Sequence, residues 1–151
     1  MTYDSTADTL KHIAKVNTNI MEIVVDLIDR GQAHDLSKLE PFEKEAFDRM
    51  TPKLIGLTYG SQEYKDSLKE LGPALQHHYK HNSHHPEHYE NGIDGMSLTD
   101  IVEMLCDWKA AAERHSDGDL AKSIEINCKR FNMSDQLTTI LKNEAIVKGW
   151  I

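Results

Sequence analysis

Cysteines, aromatic residues and long hydrophobic runs are all scarce in this sequence of 151 residues. The two cysteines, Cys106 and Cys128, show neither CxxC spacing nor the pattern of a disulfide-rich secreted scaffold, which favours a reducing compartment. No apolar run approaches the roughly 18 residues of a membrane span, and the first ten residues lack a signal peptide's basic and apolar segments. We therefore expect a cytoplasmic protein that is not inserted in a membrane.

Basic residues are too few for a broad nucleic-acid interface. Lysine and arginine number 17 against 25 aspartate and glutamate residues, and the formal net charge is −8. Extended binding to nucleic acid, or docking on an anionic membrane, needs a basic face that displaces counterions. The composition argues against both partners. A local basic pocket for one phosphate remains compatible with it, because net charge does not describe a single cleft.

The two-residue alternation of half-buried strands is absent, and helical periodicity runs along almost the whole chain. The length suits one domain with its own core, and neither a linker nor an internal repeat divides it. We predict an all-α protein with a single compact bundle of six or seven helices over residues 1–151.

Turn-forming residues give the expected helix boundaries. Thr51-Pro52 is expected to end the second helix, Gly72-Pro73 to restart the fourth, and Pro86 to end it by His85. Ser97 and Asp100 have the spacing of a capping box. The predicted helices cover about 5–31, 35–50, 61–71, 73–85, 97–115, 119–131 and 134–148.

Histidine is concentrated in one short segment of the sequence. Six of the nine histidines lie within QHHYKHNSHHPEH at 76–88, namely His77, His78, His81, His84, His85 and His88. Histidine is costly to bury when charged and gains little on a solvated face, so this density favours a metal site. His78 and His85 share a face if the helix persists, and so do His77 and His81. The sequence does not choose between these pairs, and a solvated loop is the alternative.

An adjacent His34-Asp35 pair, in HDLSKL at 34–39, precedes the histidine-rich segment. His12 lies on the predicted first helix, and Asp107 lies within CDWKAA on a later helix whose neighbouring face is apolar. Nitrogen and carboxylate ligands from separate rigid elements are what a divalent ion requires. Asp100 and Glu103 are rivals for the role of Asp107, although Asp100 is more simply explained as a charge in the first turn of its helix. The sequence thus predicts a His, His-Asp, Asp set.

This set resembles the HD-domain superfamily, which comprises all-α, metal-dependent phosphohydrolases. Lys38 matches the lysine that many members carry three residues after the aspartate, whereas some nucleotidase-like members have an acid there. The segment HHYKHNSHHPEH, followed by DWKAA, is similar to a set of small bacterial and phage HD-like proteins. That closer resemblance supplies no established activity.

The resemblance implies one or two divalent ions, which could be Mn, Fe, Co, Mg or Zn. It implies that a metal-bound water attacks a small-molecule phosphate ester, with a nucleotide as the expected substrate. The implied ligands are His12, His34, Asp35, His78, His85 and Asp107. The candidate catalytic residues are Asp35, Lys38 and His81. Lys38, beside the His-Asp pair, is the first candidate to bind the phosphoryl oxygens, and Arg114, Arg130 and Lys80 are weaker candidates.

Other readings of the same residues stay open. Some HD-fold proteins with a similar histidine-rich pattern hold two irons and activate oxygen. A non-catalytic module that binds a nucleotide or a metal is a further alternative. His84 and His88 could support the ligands or meet the substrate, and a homodimer is also compatible with the sequence.

Overall fold

The computed structural model describes residues 3–58, 60–114 and 118–151. Within these ranges the chain forms seven α-helices, three short 3-10 turns and no β-strand, which confirms the all-α prediction. No helix in the described ranges combines the length and apolar character needed to cross a membrane. The helices are α1 (Thr6–Ala33), α2 (Pro41–Ile55), α3 (Gln62–Glu70), α4 (Pro73–His81), α5 (Leu98–Glu113), α6 (Leu120–Arg130) and α7 (Asp135–Val147).

The chain divides into two units, Met1–His34 and Asp35–Ile151. The first unit contains α1, which continues two residues beyond the predicted end at Gly31. An ion pair between Arg30 and Asp26, one helical turn apart, supports its last turns. The second unit contains the other six helices. The expectation of one domain over 1–151 stays a prediction.

The predicted end of the second helix at Thr51-Pro52 is wrong. Helix α2 begins with Pro41 at its first turn, where a missing N–H is harmless, and runs through Pro52 to Ile55. Pro52 removes one helical hydrogen bond, but only one turn follows it. The backbone N–H of Gly56 closes that turn by donating to Lys53. A proline this near a helix end shortens the remaining helix without stopping it at once.

Helix α4 begins at Pro73, as predicted, but ends at His81 and not near His85. Asn82 is extended, with φ −126° and ψ 102°. Its side-chain amide donates to the carbonyl oxygen of His78 at 2.8 Å, which satisfies an acceptor in the last turn of the helix. The amide of Asn82 therefore helps to end the helix four residues earlier than the proline rule alone suggested.

Helices α5, α6 and α7 enclose the main hydrophobic core of the second unit. Ser97, Asp119 and Ser134 each accept a hydrogen bond from a backbone N–H in the first turn of these helices, so all three begin at capped positions. The predicted end of α5 at residue 115 falls outside the described residues. The core side chains are Met104, Leu105, Trp108, Leu120, Ile124, Met133, Leu141 and Ala145.

Asp100 connects the start of α5 to the loop that follows the histidine-rich segment. Its carboxylate, only 2% exposed, accepts hydrogen bonds from the backbone and hydroxyl of Ser97 and from the hydroxyls of Ser83 and Tyr89. Burial alone would raise the pKa of Asp100, but the hydrogen bonds from Ser97 and Ser83 outweigh it and lower the pKa well below its usual value. The predicted capping box is confirmed.

We expect Asp100→Ala to lower the free energy of unfolding by about 2–4 kcal/mol at neutral pH, because four donors lose a charged acceptor. Urea denaturation measures the change. The stabilisation should be complete above the unfolded-state pKa of about 3.9 and decline as pH falls below it, since the folded-state pKa is depressed. Asp94→Ala removes an exposed carboxylate nearby and should change stability by less than about 0.5 kcal/mol. Equal effects of the two variants would contradict this account.

Candidate metal centre

Four side chains of the second unit converge on one point: Asp35, His78, His84 and His85. Each offers a ligand atom within 4.8 Å of the other three. His78 Nε2 is 3.0 Å from His85 Nε2 and 3.2 Å from Asp35 Oδ1, and His84 Nε2 is 3.6 Å from the same oxygen. This group, called the His-Asp cluster below, could hold a metal ion.

The spacing within the His-Asp cluster suits ligands of one ion. A metal bound at about 2.1 Å holds neighbouring ligand atoms about 3.0 Å apart at a right angle and about 3.4 Å apart at the tetrahedral angle. The His78–His85 and His78–Asp35 distances fall within that interval, and the His84–Asp35 distance is slightly longer. Burial, with nearby His84 and His78, lowers the pKa of His85 to about 2, so its ring is neutral and can offer a lone pair.

An unusual backbone conformation presents Asp35 to the imidazoles. Asp35 has φ 60° and ψ 12°, in the left-handed region that aspartate tolerates better than most residues. The 3-10 turn Leu36–Leu39 follows directly, and residues three apart eclipse in such a turn. Lys38 Nζ thereby lies 2.6 Å from Asp35 Oδ2, while Oδ1 faces the histidines. One carboxylate thus divides its two oxygens between an ammonium and the His-Asp cluster.

The end of α4 brings His85 back to His78. Asn82 leaves the helical conformation, and its backbone oxygen accepts from the N–H of His85 at 3.2 Å, which forms a tight turn. The Asn82 side chain also donates to Ser37 Oγ at 2.8 Å, so the turn is joined to the segment after Asp35. The sequence predicts that His78 and His85 share a helix face if the helix persists. They do meet, but across a turn.

Two carboxylates orient the imidazoles of the His-Asp cluster from behind. The Nδ1–H of His78 donates to Glu43 Oε2 at 3.0 Å, and His84 Nδ1 is 3.0 Å from Glu103 Oε1. A carboxylate on Nδ1 fixes the tautomer that leaves Nε2 for a metal and makes the ring a better ligand. In both rings, Nε2 is the atom that faces Asp35.

Glu43 is fully buried on α2. It also accepts from His77 Nδ1 at 2.7 Å and from Ser37 Oγ at 3.0 Å. Burial opposes its ionisation, but the hydrogen bonds from His77, Ser37 and His78 prevail and hold the pKa of Glu43 below its usual value. Its carboxylate is therefore the ionised acceptor that an imidazole N–H prefers.

Sequence reasoning missed Glu43, and it expected His84 to support the ligands or meet the substrate and not to join the ligand set. One signal for Glu43 was available, because Glu43, Phe47 and Met50 recur at the spacing of one helix face, and an acid on an apolar face requires a partner. No comparable pattern marks His84, because it follows the end of a helix and periodicity does not apply there.

The His-Asp cluster adjoins a cavity of about 310 Å³ within the second unit. His78 and His85 belong to its lining. Cationic and aromatic side chains both contribute to the wall, which suits a ligand with a charged part and an apolar part. The cationic residues are Lys38, Arg114, Lys122 and Arg130, the carboxylates are Glu87, Asp107 and Asp119, and the aromatic residues are Phe47, Tyr64, Tyr79, Trp108 and Phe131.

Asp107 and the two earlier histidines have different positions in the fold. Asp107 lies on α5, lines the cavity and has a carboxylate oxygen within 4.8 Å of a ring nitrogen of His84. His12 lies within α1 and His34 follows its last residue, so both belong to the first unit. Metal binding by His12, His34 and Asp107 stays a prediction.

The remaining predicted site residues differ in their surroundings. Lys38, Arg114 and Arg130 line the cavity, as a role in phosphate binding requires. His81 is exposed at the end of α4, its ring stacks on His77 at 4.0 Å, and its Nδ1–H donates to the His77 carbonyl oxygen. Its catalytic role stays a prediction with no geometric support from the cavity wall.

Lys80 and His88, two further residues of the histidine-rich segment, are exposed. His88 Nδ1 donates to the backbone carbonyl oxygen of Tyr79 at 3.1 Å, which gives it a local structural role. Neither residue belongs to the His-Asp cluster or to the described lining of the cavity.

Fold and site together define an all-α protein with a buried histidine-aspartate cluster that could hold a metal ion. The chain belongs to the family of unknown function DUF5662, which matches residues 1–146. No curated protein and no solved structure matches the chain. The function of this family is unknown, and the resemblance to HD-domain proteins therefore stays a prediction.

We expect Glu43→Gln to weaken Zn²⁺ binding by about 10–100-fold, because His78 loses the ionised acceptor that orients it. Competition with a chromophoric chelator measures the affinity. Glu45→Gln, on the exposed side of the same helix, removes an equal charge and should bind Zn²⁺ like the wild type. Unchanged affinity in a folded Glu43→Gln variant would show that the carboxylate does not support the ligand.

Proposed function

We propose that the protein is a metal-dependent hydrolase of small-molecule phosphate esters, with nucleotides as the substrates that the sequence resemblance implies. One observation carries this proposal. The His-Asp cluster adjoins a cavity whose wall also holds Lys38, Arg114 and Arg130. A hydrolytic centre for phosphate esters needs both parts, a site for the ion and cations for the phosphoryl oxygens.

The donor set favours a transition metal over Mg²⁺. Three imidazoles and one carboxylate suit Zn, Fe, Mn or Co, whereas Mg²⁺ prefers oxygen ligands and retains water. A bound divalent ion supplies a water that is acidified toward neutral pH. Asp35, His78, His84 and His85 would hold the ion, and Glu43 and Glu103 would keep two of the rings in place.

Lys38 is the cation best placed to act beside the ion. Its ammonium lies 2.6 Å from Asp35 and 5.0 Å from the centre of the Phe47 ring, so contacts on two sides define its position. An ammonium held next to the His-Asp cluster can neutralise charge that develops on a phosphoryl group. Arg114 and Arg130 add guanidinium groups that can bind phosphate oxygens in pairs.

The wall of the cavity also provides for the organic part of the substrate. Phe47, Tyr64 and Trp108 line it, together with Leu68 and Leu71. Aromatic and aliphatic side chains bind a planar or apolar group, and a nucleobase has such a surface. A volume of about 310 Å³ lies at the lower end of the range for small-molecule sites, which favours a small ester over a polymer.

The same donor set supports an oxygen-activating iron enzyme as a second candidate. Imidazole-rich sites with one carboxylate also suit iron. A non-catalytic module that binds a metal or a nucleotide would use the same cavity without turnover. Metal analysis and phosphate release separate the three functions.

We expect protein purified without chelator to contain at least one Zn, Mn, Fe or Co per chain, as measured by elemental analysis. With added Mn²⁺, Co²⁺ or Mg²⁺ it should release phosphate from members of a nucleotide panel. Asp35→Asn and His85→Ala should each lower metal content and reduce phosphate release by roughly 100-fold or more, because each removes a ligand. His88→Ala, an exposed histidine of the same segment, should retain both properties.

Three results would contradict hydrolysis at this site. Phosphate release that is unchanged in Asp35→Asn would place the active centre elsewhere. Bound iron with an oxygen-sensitive visible spectrum, and no phosphate release, would favour the oxygenase. A folded protein with neither metal nor turnover would favour the binding module.

A further inference from the structure

Arg130 occupies a defined position in the cavity wall. It is the last residue of α6, and its guanidinium carbon lies 4.6 Å from the centre of the Phe131 ring. One terminal nitrogen donates to Glu87 Oε1 and is 3.5 Å from the Tyr79 hydroxyl. An arginine held by a ring and a hydroxyl loses little freedom when it binds a ligand, because its orientation is already fixed.

The Arg130–Glu87 pair also contributes to the walls of two cavities. Both residues line the cavity of the His-Asp cluster and a second cavity of about 500 Å³, and Pro86 and Phe131 share these positions. Glu87 lies on the 3-10 turn Pro86–His88, directly after His85 of the cluster. The carboxylate of Glu87 therefore contacts one of the cations that would bind a phosphate, Arg130.

The ion pair is one that a ligand can replace. The side chains of Arg130 and Glu87 are 42% and 28% exposed, and partly exposed pairs contribute little to stability. A phosphate carries more negative charge than one carboxylate and presents several acceptor oxygens, so it competes well for a guanidinium. A phosphate would displace a fully buried ion pair less easily, because separating such a pair leaves a desolvated charge.

We propose that Glu87 is an internal competitor of the substrate and that a phosphate group entering the cavity displaces it from Arg130. This inference rests on the proposed function in taking a phosphate ester as the ligand. Glu87 then sets the affinity of the cavity for anions. In its absence one carboxylate fewer competes with phosphate for Arg130, and weakly charged anions bind more readily.

The test measures binding of inorganic phosphate to the metal-loaded protein by isothermal titration calorimetry at constant ionic strength. We expect Glu87→Gln to bind phosphate about fivefold more tightly than the wild type, because the competing charge is gone. Arg130→Gln should bind it roughly tenfold more weakly. In the double variant, Glu87→Gln should bring no gain, because its effect requires Arg130.

Glu90→Gln is the matched control. Glu90 lies three residues from Glu87, is exposed and lines only the second of the two cavities, so its removal changes the net charge equally without touching Arg130. Its phosphate affinity should equal that of the wild type. Zn²⁺ affinity, measured in each variant, should stay constant, which excludes an indirect effect through His85.

The outcomes separate this inference from the proposed function. Equal phosphate affinities in Glu87→Gln and Glu90→Gln, or no phosphate binding in any variant, would overturn the inference even if the enzyme turns over phosphate esters. A gain that persists in the double variant would also overturn it. The expected pattern of affinities without turnover of any ester would uphold the competition and refute the hydrolase.

Discussion

The hydrogen bonds to the buried carboxylate of Glu43 are the interaction on which the candidate site depends. They join three separate segments, because Ser37 follows Asp35, Glu43 lies on α2, and His77 and His78 lie on α4. A buried carboxylate without such donors would be very unfavourable, so these segments must pack together for α2 to bury this side chain. The same contacts that make burial tolerable also turn the Nε2 atom of His78 toward Asp35.

Glu103 repeats this arrangement from a different direction. It holds His84 from α5, whereas Glu43 holds His78 from α2, so two helices distant in the sequence fix two rings of one His-Asp cluster. The third ring, His85, is positioned by the turn at Asn82 and by contact with its neighbours. A ligand set supported from several elements is already arranged before an ion binds, which lowers the ordering that binding requires.

The helices were largely predictable from the sequence because caps and breakers act locally, as at Gly72-Pro73 and at the Ser97 capping box. The continuation of α2 through Pro52 and the early end of α4 were not predictable, because each depends on hydrogen bonds specific to the fold. The density of histidine pointed to the segment that supplies the three rings of the His-Asp cluster. The choice of rings could not follow from periodicity, because helix α4 stops between His78 and His85 and the partners of the rings come from other helices.

The charge of the cavity makes the proposed binding of an anion compatible with an acidic protein. The chain carries a net charge of −8, yet four cationic side chains line this one cavity. Carboxylates in the same wall offset much of that charge. Arg130 is paired with Glu87 of the wall and Lys38 with Asp35 of the His-Asp cluster, so the cavity avoids the repulsion of unbalanced cations. A divalent ion would add positive charge at the His-Asp cluster and leave the cavity as a whole in excess of cations. A phosphate would restore the balance, and because the pairs are only partly buried, it can do so by exchange.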